Sequence, residues 1–288
     1  MATVIITVRM NEGSMREANP HVPWSPGEIA ADAARCVDAG AAVVHFHGRD
    51  PVTGGADRSA ETLASTVELI DGSSGAITYC NLGAGAGLDL VERLAPFAHD
   101  GPMPELAPVD LGSFNLDPFD RSARRFATED GVYVNTVATV RGMVEGIAAV
   151  GVAPVAVAWG IGSLRLLDAL VLQGAWPTPV VGELVVSDGL LSTNPATAGG
   201  LGALLPFVPE VPAAWSLMCA LGSVLPLAEA AVDAGLGVSV GLGDHPHREL
   251  GAPTNAEVVE RLVGHLAAAG HRVAGPAEAR RLLGLRPR

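Results

Sequence analysis

Eight short apolar runs, each followed by an Ala-rich amphipathic stretch, punctuate this chain from end to end, and that alternation restricts its fold more than any other feature. The runs fall at 4–8, 42–47, 76–81, 106–111, 155–159, 181–187, 214–219 and 238–242. A strand, a crossover helix and another strand make the repeat of a parallel sheet. Eight such repeats close into a (β/α)8, or TIM, barrel of about 250 residues, so a chain of 288 residues is expected to form one α/β barrel as a single domain over 1–288.

Local signals support the helices. Ser25-Pro26-Gly27-Glu28 reads as an N-cap, a proline at the first helical position and an acid two further on, opening a helix to Asp38 that stops at Gly40. Further helices are expected at 60–69, 88–94, 137–150, 163–172, 198–205, 225–234 and 255–268. Gly275-Pro-Ala-Glu278 repeats the capping pattern and opens a short C-terminal helix within 276–284. The stretch 112–131, with Pro118 and several charges, reads as an excursion between the fourth strand and the next helix.

A hydrophobic fraction of 49% with 17% charged residues suits strands buried under helices. The net charge of −13 and the absence of Lys/Arg runs argue against nucleic acid. Apolar runs stop well short of the ~20 residues of a membrane span, and no signal-peptide pattern opens the chain, so a cytoplasmic location without membrane association is expected. Cys36, Cys80 and Cys219 have no C-x-x-C spacing and read as core thiols of a reducing compartment.

In a closed parallel barrel the chemistry sits at the carboxyl ends of the strands. Polar residues just past each run are therefore the candidates: Arg9, Asn11, Glu12 and Ser14; His45, His47, Arg49 and Asp50; Asn81; Asp110, Ser113 and Asn115; and Asp244, His245 and His247. His45-Phe46-His47 is the most informative triplet, because alternate strand residues share a face at roughly 6.6 Å and two neutral imidazoles so placed can bind one divalent metal. A third ligand is expected from Asp244, His245 or His247, since the last strand of a closed barrel adjoins the first. Arg49 is the best placed arginine to clamp an anionic substrate. The turn from Gly83 to Gly87 either presents backbone N–H groups to an anion or is an ordinary strand-to-helix turn.

Several of these segments together resemble the β-keto acid cleavage enzymes, whose best-known activity is 3-keto-5-aminohexanoate cleavage. The likeness rests on Ile6-Thr7-Val8, Asn19-Pro20-His-Val-Pro23, Pro26-Gly-Glu28, the run from Asp38 through His45-Phe46-His47-Gly-Arg49-Asp50-Pro51, Asp110-Leu-Gly-Ser113-Phe-Asn115, Val240-Gly-Leu-Gly-Asp244, Thr254-Asn-Ala-Glu257 and Pro276-Ala-Glu-Ala-Arg280. The resemblance implies a homo-oligomeric enzyme dependent on Zn2+ or another divalent metal. It would exchange acyl groups between a β-keto acid and acetyl-CoA, giving acetoacetate and an acyl-CoA. Under this resemblance His45 and His47 hold the metal, Asp244 matches the base, Glu12 stands near the displaced strand-one Glu and Asn81 at a substrate-contacting Ser, while Arg49 is expected to assist catalysis and Gly83, Asp110 and Ser113 to contact substrate as strand-end residues. The chain departs from the family at Gly243, where a metal-binding Glu is usual, at Ser239, where an Arg poises the base, and at Gly160, Asn81 and Pro108. With Gly243 in place of that Glu, His245 is expected to complete the metal site. Metal-dependent aldol or hydrolytic chemistry on another oxyacid, and non-catalytic metabolite binding, are the competing readings.

Overall fold

The computed structural model describes residues 1–83 and 87–286. Eight parallel strands close into a barrel: β1 (Ile6–Arg9), β2 (Val43–Phe46), β3 (Ile77–Cys80), β4 (Leu106–Asp110), β5 (Ala153–Ala158), β6 (Val180–Val186), β7 (Ala213–Cys219) and β8 (Gly237–Val240). Each strand pairs with its sequence neighbours, and β8 pairs with β1 in the register Ser239 opposite Thr7. The α/β barrel expected from the alternation is the fold observed.

Two apolar layers result. Ile6, Val8, Val44 and Phe46 point outward into the strand–helix layer, where they meet the buried faces of the surrounding helices. Val43, Ile77, Tyr79, Val155, Val157, Val181, Val185 and Met218 belong to a second cluster inside the cylinder. Alternation along each strand forces that division.

The helix α1 (Pro26–Asp38) opens with the expected capping box, in which Ser25 accepts from the Glu28 N–H and the Glu28 carboxylate accepts in return. Burial opposes the ionised form of Glu28, but the N–H groups of Ser25 and Trp24 and the Arg16 guanidinium outweigh it and hold the carboxyl at about 2. The remaining helices are α2 (Ala60–Ser73), α3 (Leu90–Leu94), α4 (Val137–Ala149), α5 (Ile161–Leu172), α6 (Ala198–Leu204), α7 (Ala228–Asp233), α8 (Asn255–Ala268) and α9 (Pro276–Leu282). None of the described helices is long and apolar enough to cross a membrane. The excursion after β4 is organised into two small antiparallel pairs, Phe114–Asn115 with Val132–Tyr133 and Phe119–Asp120 with Arg125–Phe126.

The first strand is displaced from expectation. Thr3–Val4 leaves the barrel to pair with Arg272–Val273, and the barrel strand itself runs on to Arg9. A charged residue at that point suggests a loop, yet Arg9 is a buried strand residue because carboxylates inside the barrel receive it.

Candidate active site

At the carboxyl end of the cylinder a cavity of about 660 Å3 is lined by residues that include Arg9, Glu12, His45, His47, Tyr79, Asp110, Glu183 and Asp244. Parallel register places Arg9 opposite His45, and His45 opposite Tyr79, so three polar side chains lie in one layer across β1, β2 and β3.

Arg9 is the hub of the charges. Its Nη1 donates to both oxygens of Glu183 at 3.1 Å. Its Nη2 contacts Glu12, and its Nε lies 3.1 Å from Asp244 Oδ2. Burial opposes its charge, but Asp244 and then Glu183 outweigh this and raise its pKa. Glu183 is the counterweight across the barrel, accepting also from the Tyr79 hydroxyl at 3.0 Å and from the Ser239 hydroxyl at 2.6 Å. A carboxylate this deep in an apolar strand is tolerated because each of its oxygens is hydrogen-bonded.

His45 and His47 project from the end of β2 with their Nε2 atoms 3.2 Å apart. Glu12 Oε1 is 3.3 Å from His45 Nε2. Ligand atoms of Glu12, His45 and His47 all lie within 4.8 Å of one another. Glu12 has the left-handed backbone value φ +24°, a local strain of the kind found at functional positions. Burial, then the Arg9 charge, holds both imidazoles well below their usual pKa, in the neutral form that binds metal.

The group fits a divalent cation on its own chemistry. Two neutral imidazoles and a carboxylate are a standard ligand set for a catalytic centre with open positions. Glu12 Oε1 is buried with only ion-pair contacts, to Arg9 Nη2 and His45 Nε2, and no aligned hydrogen bond. One guanidinium faces three carboxylates, those of Glu12, Glu183 and Asp244, and a dication would balance that excess of negative charge.

Gly243 makes room for this arrangement. A Cβ at that position would lie 2.8 Å from Glu12 Cγ and 3.1 Å from the Arg9 carbonyl oxygen. The third candidate ligand atom within reach of the His45–His47 pair belongs to Glu12, in the loop after β1, and not to His245, the expected third ligand. His245 belongs to a separate group with His247 and Glu249. Its Nδ1 accepts the His247 N–H at 3.1 Å, and that contact fixes the ring within the turn after Asp244.

The Asp244 side chain is buried, and its carboxyl is pushed up to about 7, by burial first and by Glu183, against the opposing pull of Arg9. The Arg9–Asp244 pair is close but not aligned as a hydrogen bond, which leaves Oδ2 open. Asp110 accepts from Trp159 Nε1 at 2.7 Å and from the Tyr133 hydroxyl at 2.9 Å. Burial raises its pKa while those two donors oppose the rise.

Other expected residues lie elsewhere. Arg49 is buried away from the cavity lining, donating to the backbone carbonyls of Asn11 at 2.7 Å and Ser14 at 2.8 Å and to that of Gly54. Its donors are thus engaged by the loop after β1 and do not face the cavity where the expected substrate contact would lie. Ser113 Oγ accepts the Asn135 N–H at 2.7 Å, outside the cavity lining. Gly83 donates its N–H to Asn81 Oδ1 at 2.6 Å, and Asn81 lines the cavity. Residues 84–86 of the glycine turn lie outside the described residues.

A family model for "beta-keto acid cleavage enzyme" matches residues 3–285. The chain belongs to that family. The 3-dehydrocarnitine:acetyl-CoA trimethylamine transferase of Rhizobium meliloti (strain 1021) is 31% identical over 96% of this chain and 94% of its own. The 3-keto-5-aminohexanoate cleavage enzyme of Acetoanaerobium sticklandii is 29% identical over 99% of both chains. Among solved structures, ObcA in ternary complex with a C4-CoA adduct and oxalate superposes with a TM-score of 0.69 at 19% identity, covering 92% of this chain and 68% of that one, which shows the shared fold. The protein is accordingly an enzyme acting on β-keto acids, as the resemblance implied.

Sequence reasoning missed Glu183 altogether and placed Arg9 only among the polar residues past the first strand. A signal for Glu183 was present, since an acid inside Val180-Val-Gly-Glu-Leu-Val-Val186 requires a buried partner.

Proposed function

We propose that this β-keto acid cleavage enzyme performs a retro-Claisen acyl exchange between a β-keto acid and acetyl-CoA, releasing acetoacetate and an acyl-CoA, at a centre built from Glu12, His45, His47 and Asp244. The observation that carries the reading is the convergence of Glu12, His45 and His47 ligand atoms in one cavity with a carboxyl poised near 7 on Asp244.

Glu12, His45 and His47 would hold Zn2+ or another divalent metal. Such a cation, when bound, supplies Lewis-acid stabilisation of negative charge developing on a keto oxygen. Asp244 removes a proton from the carbon between the two carbonyls, and a carboxyl with a pKa near the working pH suits that task. The resulting carbon nucleophile attacks the thioester carbonyl of acetyl-CoA and the carbon–sulfur bond breaks, freeing coenzyme A thiolate. The thiolate then adds to the original keto carbon, and the carbon–carbon bond breaks to leave acetoacetate, whose carbon takes back the proton from Asp244.

Arg9 keeps Asp244 in position through Nε while Glu183, Tyr79 and Ser239 keep Arg9 in position. An arginine from β1 thus stands beside the base where β8 carries only Ser239. Asn81 and Asp110 offer polar contacts to substrate, and Trp159, Leu190 and Met218 supply apolar wall. Incubating the zinc-loaded enzyme with acetyl-CoA and a panel of β-keto acids tests the reading. Release of acetoacetate with one of them is expected, and its absence across the panel with metal bound would overturn the proposal.

A further inference from the structure

Immediately after Asp244 the chain turns through His245-Pro246-His247-Arg248-Glu249, and ligand atoms of His245, His247 and Glu249 lie within 4.8 Å of one another. Glu249 Oε1 is 3.4 Å from His247 Nδ1 and 3.7 Å from His245 Nδ1. The two rings stand edge to face with centroids 4.7 Å apart.

Two observations distinguish this cluster from solvated histidines. His247 is only 1% exposed, and its Nδ1 meets only the Glu249 carboxylate, at 3.4 Å and without the alignment of a hydrogen bond, a looser pairing than buried nitrogen atoms usually keep. Its backbone is also left-handed, at φ +50° and ψ +39°, which a residue with a Cβ adopts only where the surroundings impose it. Those surroundings are present. Asn19 Nδ2 donates to the carbonyls of Pro246 and Pro253 at 2.9 Å each, and Arg248 Nε donates to the Ala18 carbonyl at 2.7 Å. The backbone is therefore fixed in the shape that brings the three side chains together.

We propose that His245, His247 and Glu249 form a second divalent-metal site, separate from the Glu12–His45–His47 group, that anchors the turn carrying Asp244. Two imidazoles and one carboxylate select a zinc-, cobalt- or nickel-like ion over magnesium or calcium, which prefer all-oxygen shells. Glu249 is more than half exposed and leaves an entry path from solvent. His245 coordinates either through Nε2, keeping the hydrogen bond from the His247 N–H, or through Nδ1 in exchange for that bond. Because His245 also lines the active cavity, filling this site fixes one wall of the cavity without supplying an acid or base to the reaction.

The untagged full-length chain, stripped by chelator and titrated with Zn2+ alone, tests the proposal by stoichiometry. Wild type is expected to bind two ions per chain. His247→Asn, chosen because asparagine tolerates the left-handed backbone, and Glu249→Gln, an exposed change that leaves folding intact, are each expected to weaken one of the two binding events at least tenfold while the other persists. His45→Ala is expected to remove the other event and spare this one. Saturation of wild type at a single ion that survives in both His247→Asn and Glu249→Gln would overturn the second site while leaving the first standing. Loss of a binding event in His45→Ala alone would have the same meaning. Loss only in the His247 and Glu249 variants would support the second site and count against the first.

Discussion

Gly243 and Glu12 share one volume: a methyl group on the glycine would press to 2.8 Å from the glutamate's Cγ. Glu12 thus fills this space with a carboxylate from the loop after β1, the strand that neighbours β8. Gly243→Ala should push Glu12 out of reach of His45 and lower affinity for zinc by about 10- to 100-fold, the range seen when a ligand's support is disturbed. Stability should fall by about 1–3 kcal/mol, as for overpacking elsewhere. A competition titration with a chromophoric chelator measures the first quantity, and wild-type affinity would show that Glu12 is not a ligand.

The Arg9–Glu183 pair spans the barrel, and its burial makes removal of either partner costly. Glu183→Gln keeps Glu12 and Asp244 beside Arg9 but puts an amide NH2 among the Arg9, Tyr79 and Ser239 donors, and the buried donors left unpaired should destabilise the fold by about 1–3 kcal/mol, read as a shift in the urea midpoint without a change in slope. Arg9→Lys should keep the charge but lose the fork that meets Glu183 and Asp244 together. Its kcat should fall more than its stability. Equal loss of both would make Arg9 a purely structural ion-pair partner.

The barrel was legible because its strands are apolar runs and its helices carry caps, signals that are local in sequence. His45 and His47 were legible for the same reason, being two residues apart at a strand end. The Arg9–Glu183 contact joins residues 174 positions apart, across a cylinder whose stagger decides which side chains meet, and no local pattern reports that. The choice between Glu12 and His245 was equally hidden. It turns on the space left by Gly243 and on the left-handed turn at His247, both properties of loop backbone. Arg49 looked catalytic because it follows the histidines directly, but a strand-end arginine that finds the carbonyls of Asn11 and Ser14 has its donors engaged before any substrate arrives.

Arg49 should therefore behave as a brace. Arg49→Ala leaves the Asn11 and Ser14 carbonyls without their donor and should release the segment that carries Glu12. Amide hydrogen exchange in residues 10–16 should accelerate by tenfold or more, and zinc affinity should drop in parallel. If kcat collapses while exchange and metal binding stay as in wild type, Arg49 touches substrate after all.

As the proposed base, Asp244 should set the pH dependence. Its carboxyl is raised, by burial and then by Glu183 against Arg9, to about 7, so the ionised base is scarce well below that pH and accumulates as the pH rises through it. The rate constant kcat/KM should thus climb with pH along a single ascending limb. A bound dication nearby favours the carboxylate and draws the midpoint below 7. Asp244→Asn should lower kcat by about 10²- to 10⁴-fold, the usual contribution of a positioned base, and should abolish the limb while zinc binding persists. A limb that survives in Asp244→Asn with the same midpoint would assign the titration, and with it the proton transfer, to another group in the cavity.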